Sequence, residues 1–356
     1  MFDIRFPHLG ITIQHLKNSI DIIPGFPITF YGLIIGLAVV IALFIVWSDA
    51  RRRGQKEDLY TDFAIFGIIF GLIGSRLYYV LFQWDYYSMY PAEILNIRGG
   101  GLAIYGAVIA AFATLIVYCK VKKQSFFSMA DTLVLGLILA QAMGRWGNFF
   151  NCEAFGGYTD SLFAMQIRLG LVSSGMVDDN VLSHLVYEGS TAYIQVHPTF
   201  LYESAWNLAL FILLMIRRHH KKFDGELMWL YVGGYGFGRM LIEGLRTDSL
   251  MISGTNIRVS QLVAALCFAA GVVMLFIGYK KAAKKKAEEA DETGEKPKED
   301  AAGAEAEEEA AEAGEEPEED AAEAEEAKAA ETGEEPEEDA AGAEAEEEAA
   351  ETEAKS

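Results

Sequence analysis

Cysteine is scarce: three in 356 residues, at positions 119, 152 and 267. Their spacing fits no metal-ligand pattern and offers no disulfide framework, so all three read as packing residues. A cleavable leader is missing too. The first apolar run begins near Ile28, with no basic stretch before it and no clear small-residue cleavage site, so no signal peptide is expected. Residues 287–356 lack every large apolar side chain. They hold 32 acidic and 4 basic residues among Ala, Gly, Pro and Thr. Near-repeats run through them, such as TGEEPEEDAAGAEAEEEAAE, but none has an apolar face that could stack, so a solenoid is not implied. Such a segment cannot offset the entropy of ordering and is expected to be a disordered, acidic cytoplasmic tail.

Removing that tail changes the charge balance. The whole chain is formally −22, with 51 acidic and 29 basic residues. Subtracting the tail leaves 19 acidic and 25 basic residues in 1–286, a mildly basic body. The body is rich in what the tail lacks. Seven apolar stretches approach the ~20 residues needed to cross a bilayer. They fall at 28–47, 62–82, 101–119, 129–147, 199–216, 227–244 and 260–279. In lipid the backbone must bond internally, which helices achieve. The expected class is therefore an all-α polytopic membrane protein of about seven transmembrane helices, with the tail as a separate segment.

Lysine and arginine are sparse in alternate loops. Arg51 to Arg53, Lys120 to Lys123, Arg217 to Lys222 and Lys280 to Lys286 follow the first, third, fifth and seventh spans. By the positive-inside rule the N-terminus lies outside and the C-terminus in the cytoplasm. Residues 158–196 are then a small periplasmic insertion between the fourth and fifth spans.

Ionisable residues inside spans are expensive and suggest a site. In LYVGGYGFGRMLIEGLRTD, Tyr235, Arg239, Glu243 and Arg246 are spaced to share one helix face. Five glycines beside them suit a cavity lining more than a lipid-facing surface. HPTFLYES brings His197, Tyr202 and Glu203 to the start of the fifth span. GRWGNFFNCEAFGG ends the fourth span with Arg145, Asn148, Asn151 and Glu153. There Gly144, Gly147, Gly156 and Gly157 are expected to permit sharp turns and close backbone approach. The third span opens with Gly99 to Gly101 before Tyr105, read as a bend where backbone approaches a ligand. Topology puts Arg145, Arg239 and Arg246 at one outer depth, with Glu153, Glu203 and Glu243. Arginines recognise phosphate by forked, charge-assisted bonds, and the abundant phosphate at a leaflet is phospholipid.

GRWGNFFNCEAFG closely resembles the signature of the prolipoprotein diacylglyceryl transferase family. Phe30-Tyr31-Gly32, GSRLYYV, GGLAIYG, HPTFLYES and YGFGRMLIEGLR are similar to family segments in family order, over residues 20–280. The resemblance implies a bacterial plasma-membrane enzyme. Such enzymes move the diacylglyceryl group of phosphatidylglycerol to the lipobox cysteine of a prolipoprotein signal peptide and release sn-glycerol 1-phosphate. It implies phosphatidylglycerol, the lipobox peptide and membrane lipids as partners, with no metal, organic cofactor or nucleic acid.

Mapped onto this chain, Arg145 is expected to bind the headgroup and Arg239 to stabilise departing phosphate or thiolate. Asn148, Asn151, Glu153 and Gly156 shape the headgroup site. Tyr31 and Tyr235 position headgroup or thiol, and Glu243 and Arg246 support the arginines, with His197 and Glu203 nearby. Some family members carry a histidine where this chain has Tyr105. A free tyrosine, with a pKa near 10, is a weak base at neutral pH. Three alternatives stand: Tyr105 is perturbed or only positions substrate, His197 or a carboxylate takes the proton, or the arginines depress the thiol pKa. A rival reading of the whole chain is a secondary transporter for an anionic solute, which would place charges near the midplane and show inverted repeats.

Overall fold

The structure, a computed structural model, describes residues 3–23, 26–97, 100–247, 249–252, 254–255 and 257–293. Gly99 and the acidic segment from residue 294 onward lie outside the described residues. Contacts divide the chain into residues 1–289, which hold the fold below, and residues 290–356.

The fold is mostly helical. Its helices are α1 (Phe30–Arg52), α2 (Glu57–Phe82), α3 (Trp84–Met89), α4 (Ile104–Lys122), α5 (Phe126–Phe150), α6 (Asp179–Leu182), α7 (Thr199–Arg217), α8 (Glu226–Glu243) and α9 (Val259–Thr293). Each expected span corresponds to one long helix. Six of these, all but α8, are long and apolar enough to cross a membrane. The 18 residues of α8 include Glu226, Arg239 and Glu243, and they lower its apolar character. Helix α9 runs on to Thr293, past the expected tail boundary at residue 286. Lys284–Glu288 and Lys285–Glu289 pairs one turn apart extend it beyond the apolar part.

The starts of the helices show ordinary local causes. Thr29 caps α1 by accepting from the Gly32 amide, and Ser125 caps α5 by accepting from the Ser128 amide. Helix α5 is the centre of the bundle, packed against α1, α7 and α8, while α2 packs against α4. A core of Ala50, Tyr60, Leu115, Met129, Leu135, Ile138, Leu214 and Leu227 fills one end of the bundle. At that end Asp131 of α5, fully buried, accepts from the amides of Gly225 and Met228 at 2.9 and 3.0 Å. It thereby caps α8 from a different helix and sets the register of α8 against α5.

Strands occupy the other end. Strands β1 (Ile4–Phe6), β2 (Ile11–Ile13), β5 (Met165–Arg168), β6 (Val186–Glu188) and β7 (Thr191–Val196) form an antiparallel sheet ordered β2-β1-β5-β7-β6. Strands β3 (Ser19–Ile23) and β4 (Phe26–Thr29) form a separate hairpin leading into α1. These strands are absent from the all-α expectation. The N-terminal residues enter the same sheet as the 158–196 segment, with Ile4 opposite Ile167. The inner face of the sheet, including Ile4, Phe6, Met165, Ile167, Ile194 and Val196, packs with Phe149 and Phe155 after α5 and Phe200 of α7. Its polar partners also pair: Arg5 donates to Gln166 Oε1, and Gln166 donates to Gln195 at 2.8 Å. The sheet thus grips the end of α5 and the start of α7, where the candidate site lies.

Candidate functional site

Helix α5 does not break at its glycines. Gly144 and Gly147 are helical, and the helix runs through Asn148 to Phe150. The reversal comes later and is made by non-glycine residues. Cys152 and Ala154 take left-handed φ values of 50° and 56°, a conformation that costs roughly 1–2 kcal/mol per residue. Between them Glu153 is held by the chain it has just left. Its amide donates to Asn148 O, and its Oε1 accepts from the Asn148 and Asn151 amides at 2.9 and 3.2 Å. The Asn148–Asn151–Glu153 group is a local clamp on the turn.

The glycines of this stretch serve close approach. A Cβ on Gly147 would stand 2.4 Å from the Tyr31 ring, so its absence seats Tyr31 of α1 on α5. Gly156 is wedged between α7 and α8. Its amide donates to His197 O at 2.9 Å, it bridges to Arg246, and a Cβ there would meet Leu245 O at 2.8 Å.

The arginines converge on Glu203 of α7, which is 3% exposed. Arg145 approaches its Oε2 with Nη2 at 2.7 Å. Arg239 donates from Nη1 to both oxygens at 2.8 and 2.9 Å. Arg246 reaches Oε1 at 3.3 Å. Arg239 also pairs with Glu243 one turn on, as the spacing along α8 requires. Glu243 is itself buried and accepts from Ser249 and Ser260 at 2.9 and 2.6 Å. Arg258 donates to Gly244 O and Arg246 O, which fixes the chain leaving α8.

Arg145 meets Glu203 through Nη2 alone, whereas Arg239 also pairs with Glu243. The remaining N–H groups of the Arg145 guanidinium make no hydrogen bond to a described residue. The cluster therefore keeps a fork of donors available, held at a buried carboxylate that fixes its position.

Other expected residues fall further apart. Tyr235, one turn before Arg239, stacks on Tyr231 with ring centroids 5.8 Å apart. His197 precedes α7, and its Nδ1 lies 3.4 Å from the Tyr202 hydroxyl. Burial lowers the His197 pKa, which favours the neutral ring. Tyr105 lies on the α2–α4 side, exposed, with its ring near Tyr78.

The glycines before Tyr105 have a different role from the expected one. Gly101 has φ +70°, and a Cβ there would collide with Arg76 Nη1 at 2.3 Å. The approaching group is a side chain of the protein itself. Arg76 of α2, only 7% exposed, donates to the carbonyls of Glu93, Ile94, Gly100 and Gly101 at 2.6–2.9 Å. Arg76 was not singled out from the sequence. An ionisable residue in GSRLYYV, inside an apolar run, was the available signal.

Six helices long and apolar enough to cross a membrane, with arginines gathered on a buried carboxylate at one end of the bundle, make this a helical membrane protein. Residues 18–277 match the family model described as prolipoprotein diacylglyceryl transferase. The chain belongs to that family. It is 42% identical over 254 residues to the phosphatidylglycerol–prolipoprotein diacylglyceryl transferase of Limosilactobacillus reuteri, covering 71% of this chain and 87% of the relative. The enzyme of that name from Listeria monocytogenes is 42% identical over 270 residues, 76% of this chain and 91% of the relative. That from Clostridioides difficile is 39% identical over 249 residues, 70% and 90%. These bacterial relatives are transferases by name, and the transporter alternative is not favoured.

Proposed function

We propose that the protein transfers the diacylglyceryl group of phosphatidylglycerol to the lipobox cysteine of a prolipoprotein, the first step of lipoprotein maturation. The observation that carries this reading is the unspent donor fork of Arg145 beside the Glu203–Arg239 pair. A phosphodiester fits such a fork, and the name shared by the relatives supplies the lipid and the acceptor.

The residues can supply the parts that this chemistry needs. The cysteine thiolate attacks the glycerol carbon that bears the phosphate. A C–S bond forms, the C–O bond breaks, and its electron pair leaves on sn-glycerol 1-phosphate. The thiol proton leaves to the phosphate monoester or water. Arg145 binds the phosphate, and Arg239 stabilises charge growing on the departing oxygen; donors fixed in advance in a dry site act strongly there. The same positive field favours the thiolate of the substrate. Tyr105 then serves to position substrate. Asn148, Asn151, Glu153 and Gly156 hold the turn that frames the headgroup, while Tyr31 and Tyr235 line its approach.

In this reading α8 also spans, which gives seven helices. The alternating basic clusters support an N-terminus outside, a C-terminus in the cytoplasm, and the sheet with residues 158–196 on the outer side. The acidic residues from 287 onward, into which α9 runs as far as Thr293, have no catalytic part. The test is reconstitution of the full chain with phosphatidylglycerol and a lipobox peptide. Lipid attached to the peptide cysteine supports the reading, and none attached overturns it.

A further inference from the structure

Below the arginine centre lies a second polar layer. Gln141 precedes Arg145 by four residues on α5, Asn207 follows Glu203 by four on α7, and Tyr235 precedes Arg239 by four on α8. Each pair shares a helix face one turn apart. Arg145 and Arg239 lie near the ends of α5 and α8, and Glu203 lies near the start of α7. All three partners therefore sit one turn further into the bundle, about 6 Å along the helix axes.

This layer has unspent hydrogen-bonding capacity. Asn207 is 2% exposed, yet its Nδ2 has no hydrogen-bond partner among the described residues. A buried unpaired amide is costly and demands a reason. Gln141 spends its Oε1 accepting from the Tyr231 hydroxyl at 3.2 Å, which leaves its amide nitrogen unused. The Tyr235 hydroxyl bonds no described residue. Three elements thus offer donors at one depth beneath the arginine cluster.

We propose that Gln141, Asn207 and Tyr235 form a subsite for the ester carbonyls of the diacylglyceryl donor. This rests on the transferase reading above. With the lipid phosphate on Arg145, the ester groups lie a few bonds deeper toward the acyl chains. Ester carbonyls are acceptors without a proton, and they match donors that lack partners. An ether-linked lipid with the same headgroup offers no carbonyl there. The esters are not broken in the reaction, so discrimination between the two lipids reports this contact and not the chemistry at the reacting carbon.

The experiment uses the full chain in vesicles containing either diacyl or dialkyl phosphatidylglycerol, with one lipobox peptide as acceptor. Wild type is expected to favour the diacyl donor in kcat/KM by about tenfold. In Asn207→Leu that preference should shrink toward equality, because the unpaired amide that recognises the carbonyl is gone. Tyr235→Phe, which preserves the ring, should reduce the preference in the same direction. A general loss of folded protein lowers both rates together and leaves their ratio alone, so the ratio isolates the subsite. Equal use of both donors by wild type, or an unchanged ratio in both variants, overturns the proposal. Transfer from neither donor by wild type would instead overturn the transferase reading.

Discussion

Glu203 on α7 and Arg239 on α8 face each other with one guanidinium nitrogen within 2.9 Å of both carboxylate oxygens. The carboxylate is buried and shared, because Arg145 and Arg246 meet it too. Removing that charge leaves three arginines, one from α5 and two from α8 and the turn after it, crowded together with their common partner gone. Glu203→Gln should therefore destabilise the protein by about 3–5 kcal/mol. Thermal unfolding in detergent checks this; a variant as stable as wild type would show that Glu203 does not organise the centre.

Gly101 accommodates Arg76 through a left-handed φ and the absence of a side chain. Gly101→Ala adds backbone strain and a collision with a guanidinium that four carbonyls hold in place. The expected cost is about 1–3 kcal/mol, with the segment 84–102 cut faster by protease. Unchanged cleavage would mean that Arg76 yields freely.

Cys152 is buried, and burial pushes its thiol up to about 11 from an ordinary 9.0. At pH 8 its thiolate fraction is roughly a hundredfold below that of a free thiol. Maleimide labelling of Cys152 in the native protein should be slow and should accelerate only toward pH 11. The sign for stability follows from linkage. Below about 9 neither state ionises, and the contribution is flat. As pH rises from 9 to 11 the unfolded chain loses its proton first, and stability falls. Rapid labelling at pH 8 without unfolding would contradict the burial.

Tyr105 stands on the α2–α4 side with an exposed ring. Tyr105→Phe should keep transfer within about threefold, since a hydroxyl that only positions substrate contributes at most about one hydrogen bond. A loss of about a hundredfold or more would mark the hydroxyl as a proton-transfer group, because general acid–base catalysis has that magnitude.

Local relationships were legible in the sequence, and those between distant segments were less so. The four-residue spacing of Arg239 and Glu243 gave their ion pair directly, because one helix sets it. The long apolar helices were legible for the same reason. Glu203 could be put at the start of the fifth span, but its position among three arginines depends on the packing of α5, α7 and α8. Strand β1 is three residues long, and its partner β5 lies about 160 positions away, so no periodicity announces it. Gly101 showed that something comes close to the backbone. Its neighbour, Arg76, was hidden in the register between α2 and the segment before α4.

The most direct measurement is transfer of labelled diacylglyceryl from phosphatidylglycerol to a lipobox peptide by wild type and Arg145→Ala, both shown to be folded. Removing the phosphate-binding fork should lower the rate by about 10²–10³-fold. Transfer by Arg145→Ala at the wild-type rate would contradict the central claim that this arginine holds the lipid phosphate.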